Sequence, residues 1–388
     1  MSFQSRCEQA ADRDFPEILT FAMNVFHVDF PTLLPLIYGK DATSGPQHFV
    51  VREDGKVAAA VLNYPYEYKI GESDCTAYGV GTVSVGEGSR GKGYMSDLLA
   101  SCLCQASEDR AVVSVLGGLR QRYEYYGFAR TGNHIQTVHT AYSVRHTLGE
   151  RPSRYTIRAA VPEDAASMKR IMETQTVFVS RRTEDFWTLT KHGYHEAYLV
   201  LEGEEPVGYF ISKEDWKDLA EFVLVPGASV DELLLALMKK TDRCCVPVGP
   251  HADTLAERLL AVCEDWHVTM LTHACVLDIP RLFNAFGTLY AGTHRTENGS
   301  FVLGVEPHPF FEKIGIAREG VTNGRFRIGT QDGRFFAEPT QSDADITLPY
   351  LRAMEVAFTG NGRLLRDLPA FARTLFPLPF YFPPMDKV

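Results

Sequence analysis

The stretch SRGKGYMSDLL, residues 89–99, places two glycines and two cations directly before an amphipathic run. Backbone N–H groups at a helix N-terminus lack partners and carry partial positive charge, so they bind phosphate groups. Glycine lets such a backbone come close to a pyrophosphate. A phosphate-bearing ligand is therefore predicted here, and the alternative is a plain helix start after a tight turn. The candidate binding residues are Arg90, Gly91, Lys92, Gly93, Tyr94 and Met95.

These residues can be compared with the motifs of known phosphate-binding loops. A Walker loop needs G-x-x-x-x-G-K-S/T, which Lys92-Gly93-Tyr94 does not supply. A dinucleotide-binding G-x-G-x-x-G after the first strand is also absent. The pattern R-x-x-G-x-G/A fits, except that Met95 stands at its last, small position. This pattern resembles the acetyl-CoA pyrophosphate loop of the GNAT acetyltransferases, which lies between the fourth strand and the third helix of that family.

The elements around the loop agree with that resemblance. Residues 76–88 are rich in small and β-branched types and end in turn formers, which predicts a strand. From Tyr94, apolar residues recur at helical spacing, which predicts a helix. Residues 111–118 form a compact apolar run typical of a buried strand. The resemblance implies that backbone groups at Val83 and Val85 hold the pantetheine arm of acetyl-CoA and polarise its thioester.

A second candidate follows the apolar run, in RYEYYGF, residues 122–128. GNAT enzymes commonly carry a tyrosine, a short spacer and Gly-Phe at this point, and here Tyr123 precedes Gly127-Phe128. The resemblance implies that Tyr123 is the general acid that protonates the coenzyme A thiolate. A phenol has a reference pKa of about 10, so hydrogen bonding must orient it for that role. For Tyr125, Tyr126 and Phe128, the alternative is an aromatic cluster that fills a core.

The base that accepts the amine proton is not evident in the strand. Acetyl transfer needs a neutral amine, and many GNAT enzymes use a carboxylate on the central strands. AYGVGTVSV, residues 77–85, contains none. Either water relays the proton or a carboxylate arrives from elsewhere. Asp29 and residues 64–67 are candidates for lining an acceptor pocket, with solvated loop residues as the alternative.

The chain predicts an α/β (α+β) fold with three units, at 1–150, 151–286 and 287–388. The second unit repeats the order of elements of the first, which suggests internal duplication. Its corresponding turn, residues 226–229, has neither the arginine nor the second glycine. The third unit alternates strand signals with a late helix, for which Thr347 is a good N-cap. The proline- and aromatic-rich tail, FPLPFYFPPMDKV, is predicted to dock on the folded body.

Two GNAT-like units, a small α/β unit and an aromatic tail resemble the Eis (enhanced intracellular survival) family over essentially the whole chain. That resemblance implies a catalytic first unit, a degenerate second unit and a third unit similar to a sterol carrier protein. It also implies a homo-hexamer, acetylation of amines on aminoglycosides, and the α-carboxylate of Val388 as the base. For the tail, the alternative is an ordinary docked segment. The residues that carry the resemblance are Val83, Val85, Arg90, Gly93, Tyr123 and ADITLPYLRAMEVAFTG.

Composition narrows the function classes. The chain has 388 residues, of which 45% are hydrophobic and 23% charged, as in folded globular domains. A net charge of -10 argues against nucleic-acid binding, which needs a basic footprint. The sequence has no apolar run of about 18 residues, so no membrane span is predicted. The charged first residues lack an apolar signal core, which favours the cytoplasm. The cysteines have no zinc-site spacing, so no metal is predicted.

The leading hypothesis is an N-acetyltransferase with acetyl-CoA as co-substrate. It transfers the acetyl group directly, in a ternary complex, to a primary amine of a small cationic acceptor, such as an aminoglycoside or a polyamine-like molecule. Two alternatives remain open. One is acetylation of protein or peptide lysines, and the other is a non-catalytic lipid carrier built around the third unit.

Overall fold

The protein is described here by a computed structural model that covers residues 6–40, 42, 44–270, 272–360 and 362–388. The predicted α/β class is confirmed, with strands in several mixed and antiparallel sheets. The strands are β1 (Glu8–Gln9), β2 (His48–Glu53), β3 (Lys56–Ile70), β4 (Ser73–Val85), β5 (Val113–Leu116), β6 (Ala129–Thr131), β7 (His134–Thr140), β8 (Tyr155–Ala159), β9 (Val177–Val179), β10 (Glu196–Glu202), β11 (Glu205–Ser212), β12 (Leu219–Leu224), β13 (Arg243–Val248), β14 (Asp265–Thr269), β15 (Thr272–Val276), β16 (Gly299–Glu306), β17 (Gly324–Gln331), β18 (Arg334–Pro339) and β19 (Ile346–Pro349). The helices are α1 (Phe15–Phe26), α2 (Phe30–Leu33), α3 (Pro35–Tyr38), α4 (Tyr94–Glu108), α5 (Arg120–Tyr123), α6 (Ala141–Leu148), α7 (Ala165–Met172), α8 (Thr183–Leu189), α9 (Val230–Leu237), α10 (Asp253–Val262), α11 (Ile279–Thr293), α12 (Pro309–Ile314), α13 (Tyr350–Phe358), α14 (Gly362–Leu365) and α15 (Ala372–Leu375).

The first sheet has the strand order β1-β2-β3-β4-β5-β15-β6, and β9 adds to β3. Strands β4 and β5 run parallel and pair only from Ala77 opposite Val113 to Val80 opposite Leu116. Beyond Val80, β4 continues to Val85 and pairs with β3 alone among the described strands. The pairing of the two central strands therefore ends where β5 ends, and the last five residues of β4 have no strand partner on that side among the described strands.

The two halves of the chain exchange a strand. In the first sheet β15, from residues 272–276, lies between β5 and β6. In the second half β7, from residues 134–140, lies between β13 and β14. A bridge from Asp218 to Cys245 joins β12 to β13, so both halves follow the same strand order. Each half completes the sheet of the other, and a single cut at 150/151 does not separate the two sheets.

The third unit of the chain contains a sheet with the strand order β18-β17-β16-β19, and α11 packs on β18. Helix α11 extends across residues 286 and 287, between which the sequence places a domain boundary. That boundary stays a prediction. The predicted helix start at Thr347 is wrong, because α13 begins at Tyr350. Thr347 instead pairs with Gly304 in the parallel ladder of β19 and β16. The ladder uses the backbone groups that a capped helix turn would need.

The aromatic tail docks on the body, as its composition predicts. Phe376, Leu378, Phe380 and Phe382 are buried in a core shared by the first and third units. The ring of Phe382 packs against that of Tyr66 at 5.5 Å between centroids. Burial of one such side chain contributes about 1.5–3 kcal/mol, so the tail is held firmly. Within the described residues, no helix has both the length and the apolar character that crossing a membrane requires.

Candidate active site

The predicted phosphate loop lies between β4 and α4, and α4 begins at Tyr94 as predicted. Gly91 and Gly93 have φ of +80° and +84°, a left-handed backbone that favours glycine. No described group accepts a hydrogen bond from the N–H groups of residues 91–95, and the first paired donor is Ser96, which bonds to the Gly93 carbonyl at 3.0 Å. Successive free N–H groups at the start of a helix form a concave anion site. The loop has the backbone geometry that a pyrophosphate needs.

Side chains of the loop brace it from behind. The Lys92 ammonium, the Tyr94 hydroxyl and the Ser89 hydroxyl all donate to the carboxylate of Glu53, at 2.7, 2.5 and 3.0 Å. Hydrogen bonds from Lys92 and Tyr94 lower the pKa of Glu53 to about 2. The guanidinium of Arg6 donates to the Lys92 carbonyl at 2.9 Å. The side chains of Lys92 and Tyr94 therefore hold the loop, while their backbone N–H groups have no acceptor among the described residues.

Arg90 and Met95 differ in their exposure. The side chain of Arg90 is exposed at the tip of the loop. Met95 is half-buried and packs against the core of the first unit. The family pattern has a small residue at this position. The larger Met95 side chain is accommodated on the side of α4 that faces the core.

The corresponding turn of the second half is capped by its own residues. Ser229 is the N-cap of α9, and its hydroxyl accepts from the Glu232 N–H at 3.4 Å. The N–H of Ser229 in turn donates to the hydroxyl of Tyr155 at 2.8 Å. These bonds use donors that the first turn leaves open. The N–H groups of Ala228, Ser229 and Glu232 are therefore occupied within the second turn, and Pro226 has none.

A bulge lies in β4 just beyond its last pair with β5. Between the pairs Leu62–Gly81 and Ala60–Ser84, β4 has one residue more than β3. Thr82, in this bulge, has a φ of +46°, which is strained for a β-branched residue. Such strain costs of the order of 1–3 kcal/mol and persists only when the surroundings impose it. Val83 and Val85 follow in the part of β4 beyond its last pair with β5.

Buried hydrogen bonds hold Thr82 in place. The Ser44 carbonyl can only accept, so Nδ1 of His48 donates to it, at 2.6 Å. Nε2 of His48 then accepts from the Tyr38 hydroxyl at 3.1 Å, and Tyr38 accepts from the Thr82 hydroxyl at 2.6 Å. Burial lowers the pKa of His48 to about 4, which keeps it neutral. The chain of bonds therefore has one fixed direction, which no sequence motif indicated.

The C-terminus of the chain lies against β4 at the same place. A Cβ atom on Gly81 would lie 2.8 Å from the terminal carboxyl carbon of Val388. A Cβ atom on Gly79 would lie 2.9 Å from a methyl group of Val388. These two glycines flank Val80, the last residue of β4 that pairs with β5. The α-carboxylate of Val388 thus lies against residues 77–85 of β4, which contain no carboxylate side chain.

A buried ion cluster fixes the tail two residues before its end. The guanidinium of Arg181 donates to Asp386 at 2.8 and 3.0 Å and to Glu221 at 2.6 and 2.9 Å. Tyr209 donates to Glu221 at 2.7 Å. Burial raises the pKa of Asp386, whereas the charge of Arg181 and its hydrogen bonds hold that of Glu221 below its usual value. The hydroxyl of Tyr66 also donates to the Asp386 carbonyl. No motif in the sequence indicates this cluster.

Tyr123 ends α5, the short helix after β5. Its ring packs edge-on against Phe128 at 6.3 Å between centroids and lies against Gly118, whose Cβ position would be 2.7 Å from it. Burial raises the pKa of Tyr123, so the phenol stays protonated at neutral pH. In the described part of the chain its hydroxyl has no hydrogen-bond partner. Phe128 lies in the core, as the aromatic-cluster interpretation predicts, whereas Tyr125 is 77% exposed.

A cavity of about 420 Å³ opens beside the terminal carboxylate. Thr82 and Val388 line it at one end, and His192 and His195 reach it from the second half of the chain. Most of its wall is apolar, from Phe26, Val28, Phe30, Leu33, Leu34 and Met385.

The candidate acceptor-lining residues do not form this cavity. Asp29 does not line it, and its carboxylate accepts from Thr32 at 2.5 Å. Residues 64–67 line a separate groove of about 460 Å³ beside Arg182 and Asp185. Only the tertiary structure brings α1, α2, the turn at 192–194 and the tail together around one space. Among the described residues, no cluster of histidine, cysteine, aspartate or glutamate side chains is arranged to hold a metal ion.

The comparisons with known proteins concern both the first unit and the whole fold. A family model described as Acetyltransferase (GNAT) domain matches residues 6–131. A GCN5-related N-acetyltransferase from Anabaena variabilis ATCC 29413 superimposes with a TM-score of 0.71 at 13% identity, over 97% of each chain. One from Kribbella flavida gives 0.68 at 15% identity over 98% of each chain. Eis1 from Mycobacterium abscessus gives 0.63 at 15% identity over 97% of each chain. A search of curated protein sequences found no match.

Proposed function

We propose that this chain, an acyltransferase with a GNAT acetyltransferase domain at residues 6–131, transfers the acetyl group of acetyl-CoA to a primary amine of a small acceptor. The observation that carries the proposal is the meeting of three features around the C-terminal part of β4. These are the free N–H groups of residues 91–95, the end of the β4–β5 pairing at Val80, and the terminal carboxylate against Gly81.

The α-carboxylate of Val388 is the proposed base. It takes a proton from the ammonium form of the acceptor, directly or through one water molecule, and so frees the nitrogen lone pair for attack on the thioester carbonyl. An apolar cavity disfavours both charged forms, so it narrows the gap between the pKa of a carboxyl and that of an amine. The backbone at Val83 and Val85 is proposed to polarise the carbonyl and to hold the pantetheine arm.

Tyr123 is the proposed acid, and the coenzyme A sulfur is the proposed hydrogen-bond partner that orients its hydroxyl, which has none among the described residues. As the carbon–sulfur bond breaks, its hydroxyl gives a proton to the departing thiolate, and the phenolate then recovers a proton from the new amide nitrogen. The products are the N-acetylated amine and coenzyme A in its thiol form. Both partners are bound together, so no acetyl group is carried on the protein.

The remaining parts of the proposal follow the resemblance to the Eis family. They are a degenerate second unit at 151–286, a sterol-carrier-like third unit at 287–388, a homo-oligomer that is a hexamer in that family, and a cytoplasmic location. The similarity of the whole fold to Eis1 from Mycobacterium abscessus supports the comparison at the level of fold. Sedimentation of the purified protein measures the oligomeric state.

Saturating acetyl-CoA is expected to raise the melting temperature of the purified protein. A ligand at one hundred times its Kd stabilises the native state by about 2.7 kcal/mol. Gly91→Ala is expected to remove most of this shift, because an alanine in a left-handed backbone costs about 1–2 kcal/mol and tends to rearrange the loop.

Gly88→Ala is the matched control for the loop variant. Gly88 has no left-handed φ, and a Cβ atom there would have no neighbour within 4 Å. The Gly88→Ala variant should therefore still be stabilised by acetyl-CoA. An absence of stabilisation in the wild type would favour the lipid-carrier alternative over an acetyltransferase.

A further inference from the structure

The cavity beside Val388 carries information about the acceptor. Its lining residues include Val388, which carries the terminal carboxylate, and Lys387, an ammonium whose pKa burial lowers to about 8. No aspartate, glutamate or arginine side chain lines it. His192 is neutral because burial lowers its pKa to about 4, and its Nε2 accepts from the Leu36 N–H at 3.3 Å. The net charge of the wall is therefore close to zero.

A buried ammonium is costly unless a partner compensates its charge, and a carboxylate is the strongest such partner. This cavity offers one carboxylate, which the reaction uses for the amine that is acetylated. A second ammonium would meet aromatic and aliphatic side chains and the like charge of Lys387. Phe26, Phe30 and Leu33 would instead cover the apolar body of a ligand.

We infer that the acceptor carries one reactive amine on an apolar body, such as an alkylamine or arylalkylamine, and is not a polyamine or an aminoglycoside. The inference rests on the proposed function, because it takes this cavity as the acceptor site. It narrows the class of small cationic acceptors that sequence analysis suggests.

The test compares amines of matched length in a coenzyme A release assay. Hexylamine and 2-phenylethylamine are expected to exceed 1,6-diaminohexane and kanamycin in kcat/KM by roughly tenfold or more, a difference of about 1.4 kcal/mol. Lys387→Glu should narrow the gap between hexylamine and the diamine, and Lys387→Met should narrow it less. Equal or better turnover of the diamine by the wild type would overturn the inference.

Binding measurements separate this inference from the proposed function. If no amine releases coenzyme A, the proposed acetyl transfer to small amines fails. Calorimetric binding of hexylamine and 1,6-diaminohexane still tests the cavity in that case. Preferential binding of hexylamine supports the inference, and equal or preferred binding of the diamine contradicts it.

The ion cluster at Arg181 independently carries a second inference. Arg181 follows β9, which lies in the 151–286 segment yet pairs with β3 of the first sheet. Its side chain is 3% exposed and that of Asp386 is 1% exposed. We propose that Arg181 is a positioning residue, which holds the terminal carboxylate at β4 by clamping Asp386. The second half of the chain thereby contributes to the site, although its own phosphate turn is capped.

Two variants of equal charge distinguish this role from a purely structural one. The cluster has two carboxylates for one guanidinium, so loss of either leaves a balanced pair. Asp386→Ala leaves Arg181 with Glu221 and frees the tail. Glu221→Gln leaves Arg181 with Asp386 and keeps the tail attached. Both variants are therefore expected to fold.

Asp386→Ala is expected to make the C-terminus sensitive to carboxypeptidase and to lower kcat about tenfold or more, with the KM for acetyl-CoA little changed. Formate or acetate should restore part of the turnover. Glu221→Gln should resemble the wild type in both assays. Equal carboxypeptidase sensitivity of the two variants would contradict the clamp. If Asp386→Ala releases the tail without loss of turnover, the result supports the clamp and contradicts the role of Val388 as base.

Discussion

Deletion of Lys387 and Val388 is expected to lower kcat by a factor of about 10²–10⁴, the usual contribution of a positioned general base. The new terminal carboxylate, on Asp386, would lie about 7 Å further back along the chain, since an extended residue spans about 3.5 Å. Addition of one glycine after Val388 should have a similar effect, because it displaces the carboxylate while it keeps every native residue. Coenzyme A release with the best amine measures both.

Stabilisation by acetyl-CoA is the control for the altered C-termini, because the loop at residues 91–95 lies outside the tail. Both proteins should keep it. Turnover near the wild-type value in both would rule out the terminal carboxylate as base. A water-mediated proton transfer, the alternative that the strand sequence left open, would then remain.

Tyr123→Phe is expected to lower kcat about 100-fold, within the range for loss of a general acid, and to leave the KM for acetyl-CoA similar. The ring keeps its packing on Phe128 and Gly118, so the change removes only the hydroxyl. Tyr125→Phe is the matched control, because Tyr125 lies in the same segment and is 77% exposed. Unchanged turnover in Tyr123→Phe would show that another group, or water, protonates the thiolate.

The pH profile gives a second measurement on Tyr123. Burial raises the pKa of Tyr123 above its usual value of 10, so the donor form persists as the pH rises. The proposed acid should therefore cause no loss of turnover between about pH 7 and pH 10. A basic limb in that range that disappears in Tyr123→Phe would contradict the direction of this shift.

Local sequence signals predicted the phosphate loop and its helix. The glycines at 91 and 93 adopt the left-handed backbone that their residue type favours, and α4 begins at the predicted Tyr94. Both features depend on neighbours in the chain, which a sequence pattern reports directly. The predicted N-cap at Thr347 failed for the opposite reason, since pairing with the distant strand β16 overrode the local preference.

The pair Gly79 and Gly81 was a signal in the sequence that could have indicated room for the tail. Residues two apart on a strand point to the same face, so two glycines there leave a groove on that face. The glycine pair and the aromatic tail are each visible in the sequence, but their contact with each other is not. Their contact spans more than three hundred residues, and no periodicity or motif encodes such a pairing.

The sequence by itself determined the α/β class, the glycine loop before α4 and the docking of an aromatic tail, and it supplied Tyr123 as the candidate acid, because each depends on residue type and local spacing. Only the tertiary structure decided the exchange of β7 and β15, the clamp of Arg181 on Asp386, and the apolar cavity beside Val388. These features arise from burial of side chains that are far apart in the chain, and their partners are chosen by packing. The residues that hold the proposed base and shape the acceptor site belong to this second group.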